Sequence, residues 1–229
     1  MQTRTLQIFT ALSALRQSWA GTLLLGVGLD EAGRALALAI IALGGAGLFL
    51  ESDTALLRTA QRTGSCTFCV STLEEAIRAL KNEVRQRRAI TIALGGDTVA
   101  WLQETVQRGL QPQAFAFARP WNDVESATCK VLESRGACPL KGLGLSVPAS
   151  GYDLDASLSR TLTSGWSIAL DQAGSMSHRR ERDRLLLEHA EASIEEDARA
   201  TVSARWLRAA PSLFPRALDR ACLVDKAKS

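Results

Sequence analysis

The chain has 229 residues, a formal net charge of +3, few aromatic residues and five cysteines. That length allows one generous domain, or one domain with an appendage, and a large core. The near-balanced charge excludes a dedicated nucleic-acid binder, which would gather basic residues on one face. The one basic cluster, His178 to Arg184, is interleaved with acids and reads as a solvated helix start.

Arg16 and Gln17 interrupt the first apolar stretch, and no clean cleavage site follows. Ala35–Leu50 is too short for a bilayer and is broken by Gly44, Gly45 and Gly47. A soluble protein of the reducing cytoplasm, with no membrane contact, is the expectation.

Ile8, Leu12, Leu15 and Trp19 recur at helical spacing, and Gly21 closes that helix. Thr22–Val27 is a continuous apolar run, the pattern of a strand buried on both faces. Glu31–Leu43 reads as a helix stopped by Gly44-Gly45, and Ala46–Leu50 as a second buried strand. Asp53 caps a short helix over 54–62, and Gly64 follows it. Cys66–Val70 is a third strand. Thr72 and Glu75 have capping-box spacing and open a helix to about Arg88. Ala89–Leu94 is a fourth strand, Asp97 caps the helix ending at Gly109, and Ala114–Ala118 is a fifth strand. Strands alternating with helices predict an α/β fold: a doubly wound, parallel five-stranded Rossmann-like sheet of order 3-2-1-4-5.

The rhythm stops after Arg119. Residues 120–165, with Pro120, Pro139 and Pro148, read as irregular. One long helix is expected from Glu181 to Ala209. Its apolar stripe is Leu187, Ala190, Ile194, Ala198, Val202 and Trp206, and its outer face carries Glu188, Glu191, Glu195 and Glu196. The division is a Rossmann-like domain over 1–125, then an irregular segment and a helical extension over 126–229 that docks on it. Dimer packing is the other use for such a helix.

The candidate cofactor site lies at the strand ends: Gly26, Gly28, Gly33, Glu51, Gly95, Gly96 and Asp97. Gly28 and Gly33 suit a tight turn and close helix packing. The spacing is not G-x-G-x-x-G, and Asp30 and Glu31 stand where phosphates would lie. Those acids equally suit the positive end of a helix dipole. Glu51 is placed either to hold a ribose hydroxyl or to cap the next helix. Cys66, Cys69, Cys129 and Cys138 raise the idea of zinc, but thiols three apart on a strand face opposite sides, so no metal site is expected. With His178 and His189 both in the charged helix, and Tyr152 without catalytic context, no catalytic residues are assigned.

Several blocks up to residue 118 together resemble the NAD-binding domain of urocanase (urocanate hydratase). They are Gly21–Gly28, Leu50–Asp53, Arg62-Thr63-Gly64, Thr91–Asp97 and Val106–Pro112. The resemblance implies a Rossmann-like domain in a lyase family of histidine catabolism. There, tightly held NAD⁺ acts as the electrophile that activates urocanate for hydration. The departures fall on that machinery. Asp30, Glu31 and Arg34 interrupt the glycine loop, Asp97 replaces an asparagine, and Ala116–Asp123 keeps only the last aspartate of the cofactor-side signature. The family's core domain has no counterpart here. Three readings stay open: a degenerate, non-catalytic binding or interaction module; a weak NAD (nucleotide) binder; and a hydratase subunit needing a separate core chain. The expectation is no tight cofactor, NAD at most weakly held, no nucleic-acid partner, and a homodimer, partner protein or unidentified small molecule as the binding partner.

Overall fold

The structure, a computed structural model, describes all residues except 149, 163–164, 196 and 226–229. Its first half runs α1 (Gln2–Leu15), β1 (Leu23–Val27), α2 (Glu31–Ala42), β2 (Ala46–Glu51), α3 (Thr54–Arg62), β3 (Phe68–Val70), α4 (Leu73–Gln86), β4 (Ile90–Gly95), α5 (Thr98–Gln107) and β5 (Ala114–Phe117). The second half adds α6 (Asp123–Ser134), β6 (Cys138–Lys141), β7 (Tyr152–Asp153), α7 (Leu154–Leu162), β8 (Trp166–Gln172), α8 (Met176–Ala192), α9 (Ala198–Leu213) and β9 (Asp219–Asp225).

The fold class is α/β, as the alternation predicts. The central sheet has seven strands in the order β3-β4-β2-β1-β5-β6-β7, and its pairings are parallel. Two expectations are corrected. The sheet gains β6 and β7, and β4 lies between β2 and β3, so the order 3-2-1-4-5 does not hold. The reason is burial. Ile90–Leu94 is buried throughout and demands cover on both faces, whereas β3 is three residues long with Phe68 and Cys69 exposed, which suits an edge.

Side chains alternate between two cores. Leu24 and Phe49 join Phe9, Leu12, Leu36, Ile40, Ala60 and Trp206 under α1, α2, α3 and α9. Leu25, Leu48, Leu50 and Ile92 join Leu73, Leu80, Leu102 and Leu132 under α4, α5 and α6. The sheet is thus covered on both sides, which explains why its strands read as unbroken apolar runs.

The first helix ends at Leu15, not at Gly21, because Arg16 turns extended (φ −152°, ψ 130°). Trp19 lies beyond it and folds back, its indole N–H donating to Leu12 O at 3.1 Å. Its helical spacing from Leu15 is coincidental; the ring gives a second donor to Leu12 O, which already accepts from Arg16 N.

The stretch 120–165, expected to be irregular, holds the regular elements α6, β6, β7 and α7. Asn122 Oδ1 accepts from Glu125 N, and the Glu125 carboxylate accepts from Asn122 N, so a full capping box starts α6. The expected single long helix is two, α8 and α9, broken at 193–197. Asp197 starts the second by accepting from Arg199 N at 2.8 Å. Leu187 and Ala190 therefore sit on α8, and Val202 and Trp206 on α9. Glu188, Glu191 and Glu195 are exposed; Glu196 lies outside the described residues. The basic run is not wholly solvated either, since Arg179 is buried. The α9 helix packs on the domain through Trp206, whose ring lies 5.5 Å from Phe9 of α1. The β8 and β9 strands, unforeseen in the sequence, pair antiparallel as a separate ribbon.

Candidate functional site

In a doubly wound sheet, a crevice opens where neighbouring strands send their helices to opposite faces. Here β1 leads to α2 on one face, and its neighbour β5 leads to α6 on the other. The same holds for β2 and β4. The predicted site residues gather at this rim of strand ends, with one exception. Gly26 lies inside β1, where a Cβ would stand 2.4 Å from the Phe49 ring, so its role is core packing.

Gly28 turns the chain with φ +96°, a conformation glycine adopts without strain, and its N–H donates to Leu50 O at 2.8 Å. Gly33 packs the first turn of α2 onto that bend; a Cβ there would lie 2.1 Å from Gly28 O. Asp30 caps α2, accepting from Gly33 N at 2.9 Å. Glu51 is 4% exposed and bridges two loops: it accepts from Leu29 N at 2.7 Å and from Asp53 N at 2.8 Å. The cap of α3 is Asp53, which accepts from Ala55 N and Leu56 N. At β4, Gly96 N donates to Glu51 O at 3.1 Å, the Trp101 indole donates to Gly95 O, and Asp97 caps α5 by accepting from Val99 N and Ala100 N. Three adjoining loops are thus tied to one another, and each following helix has its N-terminal donors turned onto an aspartate of the protein.

Sequence reasoning missed the β5 end. Arg119, beside Gly28, donates to both oxygens of the wholly buried Glu125 and to Thr98 Oγ1. The spacing Asn122-x-x-Glu125 was the available signal. Arg119 is therefore a guanidinium already paired within the fold. An open cleft of about 520 Å³ lies over the ends of β2, β3 and β4, where Ser52, Thr54, Ser71 and Gly96 offer hydroxyls and backbone and Glu75 a carboxylate.

Cys66 precedes β3 and is buried, while Cys69 is on the strand and exposed, so the alternating-face argument does not apply to Cys66. Among the described residues, no cluster of three or more His, Cys, Asp or Glu is placed to hold a metal. Burial pushes the Cys66 thiol up, and pushes Cys129 and Cys222 up to about 12; Cys69 is raised less far. A raised thiol pKa leaves the neutral, unreactive form dominant at pH 8. A disulfide-exchange reagent should therefore label Cys69 first in the native protein, and Cys66, Cys129 and Cys222 only on unfolding. Equal labelling rates, read by peptide mass mapping, would contradict that order. Tyr152 is engaged with Ser157 at 2.7 Å, and His178 and His189 are exposed on α8.

A doubly wound parallel sheet with a glycine bend after its first strand and crevices at its strand ends defines a Rossmann-like domain. Residues 3–116 match the family model of the urocanase Rossmann-like domain, from α1 into β5, and that stretch of the chain is a urocanase Rossmann-like domain. The comparison with curated proteins gives no match. Among the described residues, no helix is long and apolar enough to cross a membrane.

Proposed function

We propose that the chain is a non-catalytic binding or interaction module built on a urocanase-type Rossmann-like domain with a closed phosphate position. One observation carries the reading. Leu29 N and Gly33 N, donors that a pyrophosphate would use at the start of α2, hold the carboxylates of Glu51 and Asp30 instead. A helix N-terminus attracts anions through its free N–H groups and its partial positive charge. Spent on the protein's own acids, that potential repels a second anion. The residues present therefore do not fit a tightly held dinucleotide, and no reaction step through NAD is drawn. The rim cleft, lined by hydroxyls, backbone and the Glu75 carboxylate with no basic side chain, supports a neutral or hydroxyl-bearing ligand, or a protein surface, as the partner.

Weak, exchangeable nucleotide binding is the second reading, favoured by the Gly28 bend, which leaves backbone close to the crevice between β1 and β5. A thermal-shift panel of nucleotides tests both. A ligand at a hundred times its dissociation constant adds about 2.7 kcal/mol of stability. No NAD-dependent shift at millimolar concentration supports the module; a large shift favours the nucleotide reading. The module also predicts that pure protein with NAD⁺ leaves urocanate absorbance unchanged. A decay in proportion to protein concentration would overturn it in favour of a hydratase.

A further inference from the structure

The part of the chain outside the family match holds a cavity of its own. The helices α8 and α9 and the β8–β9 ribbon enclose about 620 Å³, a volume typical of small-molecule pockets. Its floor includes Ala190, Ala200, Leu207 and Leu223, all nearly fully buried. Set into that apolar floor is Ser203, 4% exposed, whose hydroxyl makes no hydrogen bond to the described residues and is not fully sealed off, so it opens onto the cavity. Elsewhere in this protein, helical hydroxyls bond the carbonyl four residues back, as Thr105 and Thr128 do. Ser203 does not, and a hydroxyl that faces the cavity without a protein partner is free to pair with a ligand.

One wall is Trp166. The Arg199 guanidinium lies 5.6 Å from its ring centroid. The ring offers a flat apolar surface. Asp197 is paired with Arg199, and Asp225, also at the lining, has a partner of its own. Neither is available to hold a cationic ligand. We propose that this cavity binds an uncharged, flat, mainly apolar molecule carrying one hydroxyl or carbonyl. The molecule lies along Trp166 and pairs its polar group with Ser203. Ring-to-ring contact of this kind adds to simple area burial.

The test is calorimetric titration of the full chain with 2-naphthol, and with naphthalene, the same ring system without the hydroxyl. Both should bind one to one. Ser203→Ala should weaken 2-naphthol by about five- to tenfold, the worth of one neutral hydrogen bond, and leave naphthalene unchanged. Ala169→Trp fills the cavity from an exposed position on β8 and should abolish both. Ser203→Ala removes a single oxygen, so the test stands even if the tryptophan variant folds poorly. Absence of saturable binding by either probe would overturn the proposal, as would binding that survives in a folded Ala169→Trp protein. Equal weakening of both probes by Ser203→Ala would overturn it too.

Discussion

Asp183→Asn should destabilise the protein by about 3–5 kcal/mol, the cost of leaving buried charge without its counter-ion. Arg179 and Arg220 are both 2% exposed and share Asp183. Arg220 binds that carboxylate through two nitrogens, at 3.0 and 2.9 Å, and donates from a third to Ala210 O. Arg179 donates to Asp219 O and reaches Asp183 only at 3.7 Å, and its Nε and Nη2 have no hydrogen-bond partner among the described residues. Burial, followed by the nearby Arg220 charge, holds the Arg179 guanidinium below its ordinary pKa. Asparagine keeps the shape but removes the charge on which both arginines rely. For a chain of this size the loss corresponds to roughly 6–20 °C in melting temperature. A change below about 1 kcal/mol in urea unfolding would mean that solvent, not Asp183, carries these charges.

The second large effect is a gain. Replacing Asp30 and Glu31 together with glycine should raise NAD⁺ affinity by at least about tenfold. Two carboxylates about 4 Å from a phosphate each oppose it by roughly 1 kcal/mol when screened as in water, and by more where the site is dry. Both residues are exposed, so the screened figure applies. The cost to the fold is modest: glycine at the Asp30 N-cap gives up a few tenths of a kcal/mol, and glycine at Glu31, the first residue of α2, up to about 1 kcal/mol. Unchanged affinity in a folded double variant would place the obstacle elsewhere, with Glu51 on Leu29 N as the next group to examine.

The first four strands and the helices that follow them were legible because each strand is flanked by a glycine and followed by an aspartate or threonine cap. Asp53, Thr72 and Asp97 all cap as their spacing implies, and Asp30, read only as an acid suited to the helix dipole, is the cap of α2. Strand order was not legible, because it depends on how completely β4 and β3 are buried and local periodicity is silent about that. Past Arg119 the prolines misled. Pro139 sits in β6 opposite Phe115, and the capping box at Asn122 starts two residues after Pro120. The helix break at 193–197 lacked glycine and proline, and the apolar stripe crossed it by chance of phase. At the rim, the structure places Gly28, Glu51 and Gly96 at strand ends and Gly33 in the first turn of α2. The partner that each carboxylate takes is a three-dimensional fact: the donor on Glu51 comes from a loop 22 residues earlier in the chain.

The central claim is that the strand-end loops are closed by the protein's own carboxylates. Calorimetric titration of NAD⁺ into the unmodified chain at physiological salt tests it most directly. The account predicts binding weaker than about 1 mM, less than about 4 kcal/mol of binding free energy. Saturable one-to-one binding at about 1 µM or tighter would contradict it, and would mean that Leu29 N and Gly33 N are released to the cofactor.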